Sequence, residues 1–444
     1  MSTTGPGEGG AAASALAPWE MVRATYRGRP LIVSRPKATQ YGHLALEIHL
    51  SLVYAMEAGA ALYLLRERRA VNTALYEVES SAVPILRPTL WRDAWLSMRL
   101  VLPRWWGYWA GRVRWWRLDF YRTLRNALAE HCVDPRVPEA LRLRLRDIRQ
   151  ALLRWRQQEE GQVLTAGVTY VERTKVRHPV ESHLNPAASD RARALAAELG
   201  ITDDMRLVTV HAREAGYKRG REVNDKASQR DDSTRNARIE TYFEAIDRLV
   251  AQGFTVVRVG DPSMEPVVRP GVIDLATHPR RSALAEVHCL YRSAFLICGE
   301  SGPLSVSYLT NTPIVTVNST DPIGGYPMRR DGFYILKGVV DRRTGLRLRL
   351  GELLTEGYLR HLRDTKRFVY VENTPLEICA VVDEMLEWLG GTHAESAAQA
   401  EFRAAATRAS VELRDRLGYV RKHGSDRGFL GDGRIGRRFV EEYS

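Results

Sequence analysis

Cysteine, lysine and long apolar runs are all scarce in this chain. The four cysteines, Cys132, Cys289, Cys298 and Cys379, form no Cys-x-x-Cys pair. That argues against a zinc site or a disulfide scaffold and fits a reducing cytosol. No stretch of about 18 uncharged apolar residues occurs, and mean hydropathy is −0.30, so a membrane-spanning helix is not expected. Acidic residues are outnumbered: 65 Lys+Arg face 53 Asp+Glu, a formal net charge of +12. Only seven of the basic residues are lysine, an arginine bias that GC-rich coding produces on its own. No internal repeat is evident. What is present is globular: 44% apolar and 27% charged residues exclude a wholly disordered chain. A length of 444 residues allows two or three domains and a sizeable core.

The positive charge is uneven. Residues 91–125 hold eight Arg against Asp93 and Asp119, and seven of the ten Trp lie between Trp91 and Trp116. The character is helical from Pro88 to about Gln158, and Trp105, Trp109, Val113 and Trp116 fall on one helical stripe. Two readings stay open. The block suits an interfacial helix on an anionic membrane surface, and equally a core-facing helix whose Arg stems cover apolar surface. Nucleic acid is not an expected partner, because no RNP, helix-turn-helix or zinc-finger pattern occurs.

Residues 1–18 read as a disordered tail rather than a signal peptide. A strand at Leu31–Val33, a helix from Gly42-His43 to Gly59, a strand at Ala61–Leu65, a short helix near Arg69–Val78 and a strand at Val83–Leu86 follow. This order predicts a Rossmann-like acceptor-side domain over 19–185, with a helical insertion at about 88–158. A second series over 186–392 alternates in the same way. Its strands are expected at Arg206–His211, Phe254–Val259, Val272-Ile273, Ala294–Cys298 and Pro313–Val317, and its helices at Ile239–Gln252, Ser282–Arg292, Leu304–Thr310 and Leu376–Leu389. Residues 393–444 read as a helix and a basic tail that either crosses back onto a domain or is flexible. The expected fold class is α/β, two Rossmann-like domains facing a cleft.

In open α/β sheets ligands bind beyond the carboxyl ends of the strands. There the chain delivers His211, Arg213 and Glu214, then Gly260 and Asp261, then Gly299, Glu300, Ser301 and Gly302 at a helix start. A glycine-rich turn feeding a helix offers backbone N–H groups to phosphate oxygens, and Ser301 adds a hydroxyl donor. Arg213 suits bidentate phosphate binding and the charge on a departing diphosphate. Asp261 and Glu300 suit ribose or sugar hydroxyls. The polar segment Gly216–Asn236, which includes Arg235 and Asn236, has the length of a lid or of a solvated excursion. His43 suits a general base or a packing role. No Asp-x-Asp motif stands at a strand end, so no metal is expected.

The stretch from VTVHAREAGYKRG to VVRVGDPSMEP resembles bacterial glycosyltransferases of surface-polysaccharide gene clusters, which have two Rossmann-like domains (the GT-B type). The matching elements are His211-x-Arg213-Glu214, Arg235-Asn236-Ala237, Tyr242 and Arg258-x-Gly260-Asp261-Pro262. CGESGPLSVSYLTNTPIVTVN, from Cys298, looks like the family's donor-binding turn and helix and is distantly similar to that of heptosyltransferases. The His211-x-Arg213 strand end is similar to that of fucosyltransferases that use GDP-sugars. Tyr41-Gly42-His43 and Gly433-Arg434-Ile435…Phe439 resemble further family segments.

The resemblance implies a metal-independent glycosyltransferase with a nucleotide-diphosphate-sugar donor, GDP-sugar favoured, and no bound cofactor. Catalytic roles are expected for His43, Arg213 and Glu214. Donor contacts are expected from His211, Arg213, Arg235, Asn236, Asp261, Glu300, Ser301 and Gly302. The acceptor is a glycan, a lipid-linked molecule or a natural product. The location is cytoplasmic, with peripheral binding to the inner membrane face under the interfacial reading of the Trp/Arg block. The competing readings are a nucleotide-sugar epimerase or hydrolase of the same fold, and a non-catalytic membrane-associated nucleotide-sugar-binding protein.

Overall fold

The computed structural model describes residues 20–26, 29–34, 36, 40–64, 70–86, 138–141, 144–145, 179–214, 232–325, 327–413, 416–417 and 431–444. The chain divides into two units, Met1–Glu20 with Leu86–Val168 and Met21–Ile85 with Thr169–Ser444. Almost all described residues belong to the second. The Trp/Arg stripe at Trp105–Trp116 and the segment 215–231 lie outside the described residues.

In the second unit, short apolar runs closed by turn residues form strands, as expected. The first group comprises β1 (Glu20–Tyr26), β2 (Arg29–Ser34), α1 (Tyr41–Glu57), β3 (Ala61–Leu64), β4 (Val78–Glu79) and β5 (Ile85–Leu86). A four-stranded sheet runs β1-β2-β3-β5, with β2 and β3 parallel. Helix α1 is buried along most of its length, from Leu44 to Val53, so its apolar residues are not confined to one stripe. The region near 69–78, read as a helix, holds a single 3-10 turn at Thr73–Glu77 capped by Asn72.

The second group continues with β6 (His183–Leu184), α2 (Pro186–Ala197), β7 (Arg206–His211), α3 (Phe243–Ala251), β8 (Phe254–Arg258), β9 (Val272–Asp274), α4 (Ala283–Arg292), β10 (Ser293–Cys298), α5 (Gly302–Thr310), β11 (Ile314–Ser319), β12 (Gly332–Leu336), β13 (Gly338–Asp341), β14 (Phe368–Val371), α6 (Pro375–Leu389), α7 (Ala397–Glu412), β15 (Arg434–Ile435) and α8 (Arg437–Tyr443). Strand β6 pairs with β4, and β13 with β14, each antiparallel. The main sheet has seven strands in the order β15-β12-β11-β10-β7-β8-β9, and every pairing in it is parallel.

The first six strands of the main sheet in chain order thus lie 6-5-4-1-2-3, the doubly wound arrangement. The order reverses between β7 and β10, which is the topological switch point. Buried both sides, these strands are near-continuous apolar runs rather than alternating ones. Leu207, Val257, Val259, Ala285 and Cys289 pack with α2 residues on one face of the sheet. The tail crosses back onto the sheet: β15 extends it next to β12, and buried Glu384 in α6 accepts bonds from Gln399 Nε2 and from the Arg437 backbone N–H. Among the described residues, no helix is long and apolar enough to cross a membrane.

Candidate functional site

The carboxyl end of β7 delivers His211, Ala212 and Arg213, all buried. Cys298, the last residue of β10, pairs with His211 across the switch point. The turn that follows β10 carries Ser301 back to the imidazole: His211 Nε2 lies 2.9 Å from Ser301 Oγ, and His211 Nδ1 lies 2.9 Å from the Val259 carbonyl oxygen. Burial, aided by the charges of Arg258 and Arg213, pushes the His211 pKa down to about 4, so the ring is neutral near pH 7. A carbonyl oxygen only accepts, so Nδ1 carries the ring hydrogen. Nε2 is then the acceptor, and the Ser301 hydroxyl donates to it.

Because Ser301 points its proton at His211, it does not cap its own helix. Ser301 occupies the N-cap position of α5 but makes no side-chain capping bond, and Pro303 stands in the first turn. The first turn of α5 therefore keeps amide donors and the positive end of its dipole uncapped by a side chain. The start of α1 abuts it. A Cβ added at Gly42 would stand 3.0 Å from Gly302 Cα and 3.2 Å from Gly302 O. Two helix N-termini thus meet with their backbones in contact, and glycine at 42 is what permits it. His43 follows in the first turn of α1.

Cationic side chains gather on the same edge. Arg213 Nη1 donates to Asn236 Oδ1 at 3.0 Å, and Arg235 Nη1 to the Glu300 carbonyl at 3.1 Å. Lys337, directly after β12, donates from Nζ to the Asn236 carbonyl at 2.6 Å. Burial lowers its pKa against the opposing pull of Glu372 and Glu300. Arg363, at a φ of 63°, donates to Glu300 Oε2 and to Thr320 Oγ1.

The carboxylates are largely committed within the chain. Glu300 accepts from Ser319 Oγ at 2.6 Å, Thr320 N at 2.9 Å, Asp321 N at 3.1 Å and Thr320 Oγ1 at 3.0 Å, besides Arg363. Burial alone would raise its pKa. The Arg363 guanidinium, the Ser319 hydroxyl, the Arg235 charge and the Thr320 amide outweigh it and hold the group down to about 2. Glu214 binds Arg258 Nη2 at 2.6 Å and the Glu265 N–H at 3.1 Å. Arg258 is nearly inaccessible and also pairs with Asp274 at 2.9 Å, which explains why a charge is tolerated at the end of β8. Asp261 accepts from the Ser263 N–H at 3.0 Å, fixing its own turn.

Of the residues singled out from sequence, the structure brings together His211, Arg213, Arg235, Asn236, Glu300, Ser301 and Gly302, with Gly42 beside them. Glu214 and Asp261 are held in neighbouring local networks. Lys337 and Arg363 were missed. Lys337 follows a short apolar run, Phe333–Leu336, and the strand-end rule applied there would have found it. Arg363 sits in a loop that carries no periodic signal.

No family model matches the chain, and no curated protein matches it. Among solved structures it is similar to the glycosyl transferase family 9 protein of Veillonella parvula DSM 2008, at 12% identity and a TM-score of 0.35, over 71% of this chain and 87% of that one. It is also similar to the E. coli ADP-heptose LPS heptosyltransferase II, at 12% identity and a TM-score of 0.34, over 76% of this chain and 97% of that one.

Proposed function

We propose that the chain is a glycosyltransferase whose nucleotide-diphosphate-sugar donor binds at the switch point of the main sheet. The observation that carries this reading is the meeting of Arg213 and Arg235 with the α5 N-terminus at the β7–β10 carboxyl edge. Backbone N–H groups at a helix start and guanidiniums nearby are the groups a diphosphate needs. The matching motifs His211-x-Arg213 and Arg235-Asn236 support it. As the bond from the sugar to the diphosphate breaks, negative charge builds on the leaving oxygen, and fixed cations there lower the barrier. The acceptor hydroxyl, from a glycan, lipid-linked or small-molecule acceptor, loses its proton to His43 in this reading. Glu300 then acts as framework, holding Arg363 and the β11 end rather than a sugar hydroxyl, and Glu214 holds Arg258 rather than taking the catalytic role first expected of it.

Arg213→Ala is expected to lower transfer or donor hydrolysis about a hundredfold, the scale of losing one group that stabilises the departing charge. Unchanged turnover would remove Arg213 from the reaction. Because the arginines supply the countercharge, chelation with EDTA is expected to leave turnover unchanged. A loss restored by Mg²⁺ would defeat the metal-independent reading. Binding must raise apparent stability, so a thermal-shift series with GDP-, UDP- and ADP-sugars identifies the donor base.

A further inference from the structure

The hydrogen-bond chain Val259–His211–Ser301 has a direction, and that direction constrains the ligand. A serine hydroxyl has one proton and two lone pairs. The Val259 carbonyl fixes the ring hydrogen on Nδ1, and Nε2 consumes the Ser301 proton at 2.9 Å. For any further partner, Ser301 Oγ is left with lone pairs alone. A phosphate oxygen also offers only lone pairs, so the two repel. We infer that Ser301 is a hydrogen-bond acceptor in the donor site and selects a hydroxyl group of the ligand, while its neighbouring backbone amides face the phosphates.

This rests on the nucleotide-sugar reading above and changes the role first expected for Ser301, that of a phosphate donor. Hydroxyls on two parts of the ligand meet the requirement, those of the ribose and those of the transferred sugar. The orientation is enforced by burial: His211 is 5% exposed and neutral, so no second proton is available on Nε2 to reverse the chain. The extended backbone at Ser301, φ −139° and ψ 176°, also accommodates threonine without strain.

The test combines a spectrum with a binding series. Long-range ¹H–¹⁵N spectra of the protein with labelled histidine are expected to show His211 as the Nδ1–H tautomer, with the Nε2 shift changing in Ser301→Ala. An Nε2–H tautomer would overturn the proposal whatever binds. Calorimetry with pyrophosphate, GDP and GDP-mannose then compares parent, Ser301→Ala and Ser301→Thr, each checked for an unchanged melting profile.

For Ser301→Ala, pyrophosphate is expected to bind within about twofold of the parent, while a hydroxyl-bearing probe weakens about three- to tenfold, the scale of one net hydrogen bond. Weakening already with GDP assigns the ribose, and weakening only with GDP-mannose assigns the sugar. Equal weakening of pyrophosphate, or no weakening of any probe, overturns the proposal. Ser301→Thr is expected to restore affinity; a threonine variant as weak as alanine assigns the loss to packing and also overturns it. Should GDP and GDP-mannose not bind the parent, the matching UDP and ADP probes take their place; failure of all three bases defeats the nucleotide-sugar reading instead, and the tautomer spectrum still decides the acceptor role.

Discussion

Gly260 stands just beyond β8 at a φ of 154°, and a Cβ there would lie 2.5 Å from Met264 Sδ and 3.2 Å from His211 Nδ1. The backbone conformation favours glycine, and an added carbon would displace the flexible end of Met264 and press on the His211 ring. Gly260→Ala is expected to cost about 1–3 kcal/mol and to disturb His211, because the added carbon presses on the ring nitrogen that anchors its tautomer. Urea unfolding checks the first effect, and the His211 ¹⁵N shift the second. An alanine variant with parental stability would show that this turn relaxes freely. The motif around Gly260 was legible in the sequence, yet its use was not. A glycine followed by aspartate and proline reads as a ligand-facing turn, whereas here Asp261 accepts from Ser263 within its own turn. The same holds for Glu214. A carboxylate at a strand end looks catalytic until Arg258, 44 residues on, is found to claim it.

At the scale of elements, the turn between β10 and α5 is tied to the end of β11 by one side chain, Glu300. Its carboxylate gathers donors from Ser319, Thr320 and Asp321 and pairs with Arg363. Glu300→Gln removes one buried carboxylate charge from beside Arg363 and is expected to cost roughly 3 kcal/mol. It also loosens the Ser301-Gly302 turn, so donor affinity falls along with stability. A variant that binds as tightly as the parent, measured well below its melting temperature, would separate the turn's geometry from Glu300.

Strand positions were legible where apolar runs are bounded by turns. The run RLVTVH gave β7 residue for residue, and Ala294–Cys298 gave β10 to within one residue. Strand β12 was missed because its five residues begin at the glycine of an Arg-Arg-Asp-Gly run, with no helix among the described residues between it and β11. Strand β15 is two residues long, too short for any periodicity to register.

For the molecule as a whole, two buried groups contribute opposing pH dependences, with His288, also lowered by burial, adding to the His211 side. Burial lowers His211 from its ordinary 6.5 to about 4 and raises Glu286 from its ordinary 4.5 to about 7. Between those ordinary values, the unfolded chain binds a proton at His211 that the native state refuses, so stability rises with pH on its account. Over the same window the native state holds a proton at Glu286 that the unfolded chain releases, so stability falls with pH. The two slopes, each at most about 1.4 kcal/mol per pH unit, largely cancel. Glu286→Gln is expected to leave stability rising with pH through this window, and His211→Gln to leave it falling. Urea midpoints at its two ends test both, and variants with the parent's profile would refute the assignment. None of this was legible in composition or motif, because it depends on which titratable groups the packing closes over. The net charge of +12 is likewise silent on it.

The order in which the main sheet is completed follows from its topology. Phe333 and Tyr334 of β12 pair with Arg434 and Ile435, so a strand of the main sheet waits for a partner made roughly a hundred residues later. A nascent chain released to fold early would carry β12 as a bare parallel edge, the kind of surface on which other extended segments dock. Closure by such a distant segment is slow, since the loop entropy is lost before the pairing compensates it. Chains truncated before residue 431 should therefore aggregate during synthesis more than the full chain, even where the switch-point residues are all present.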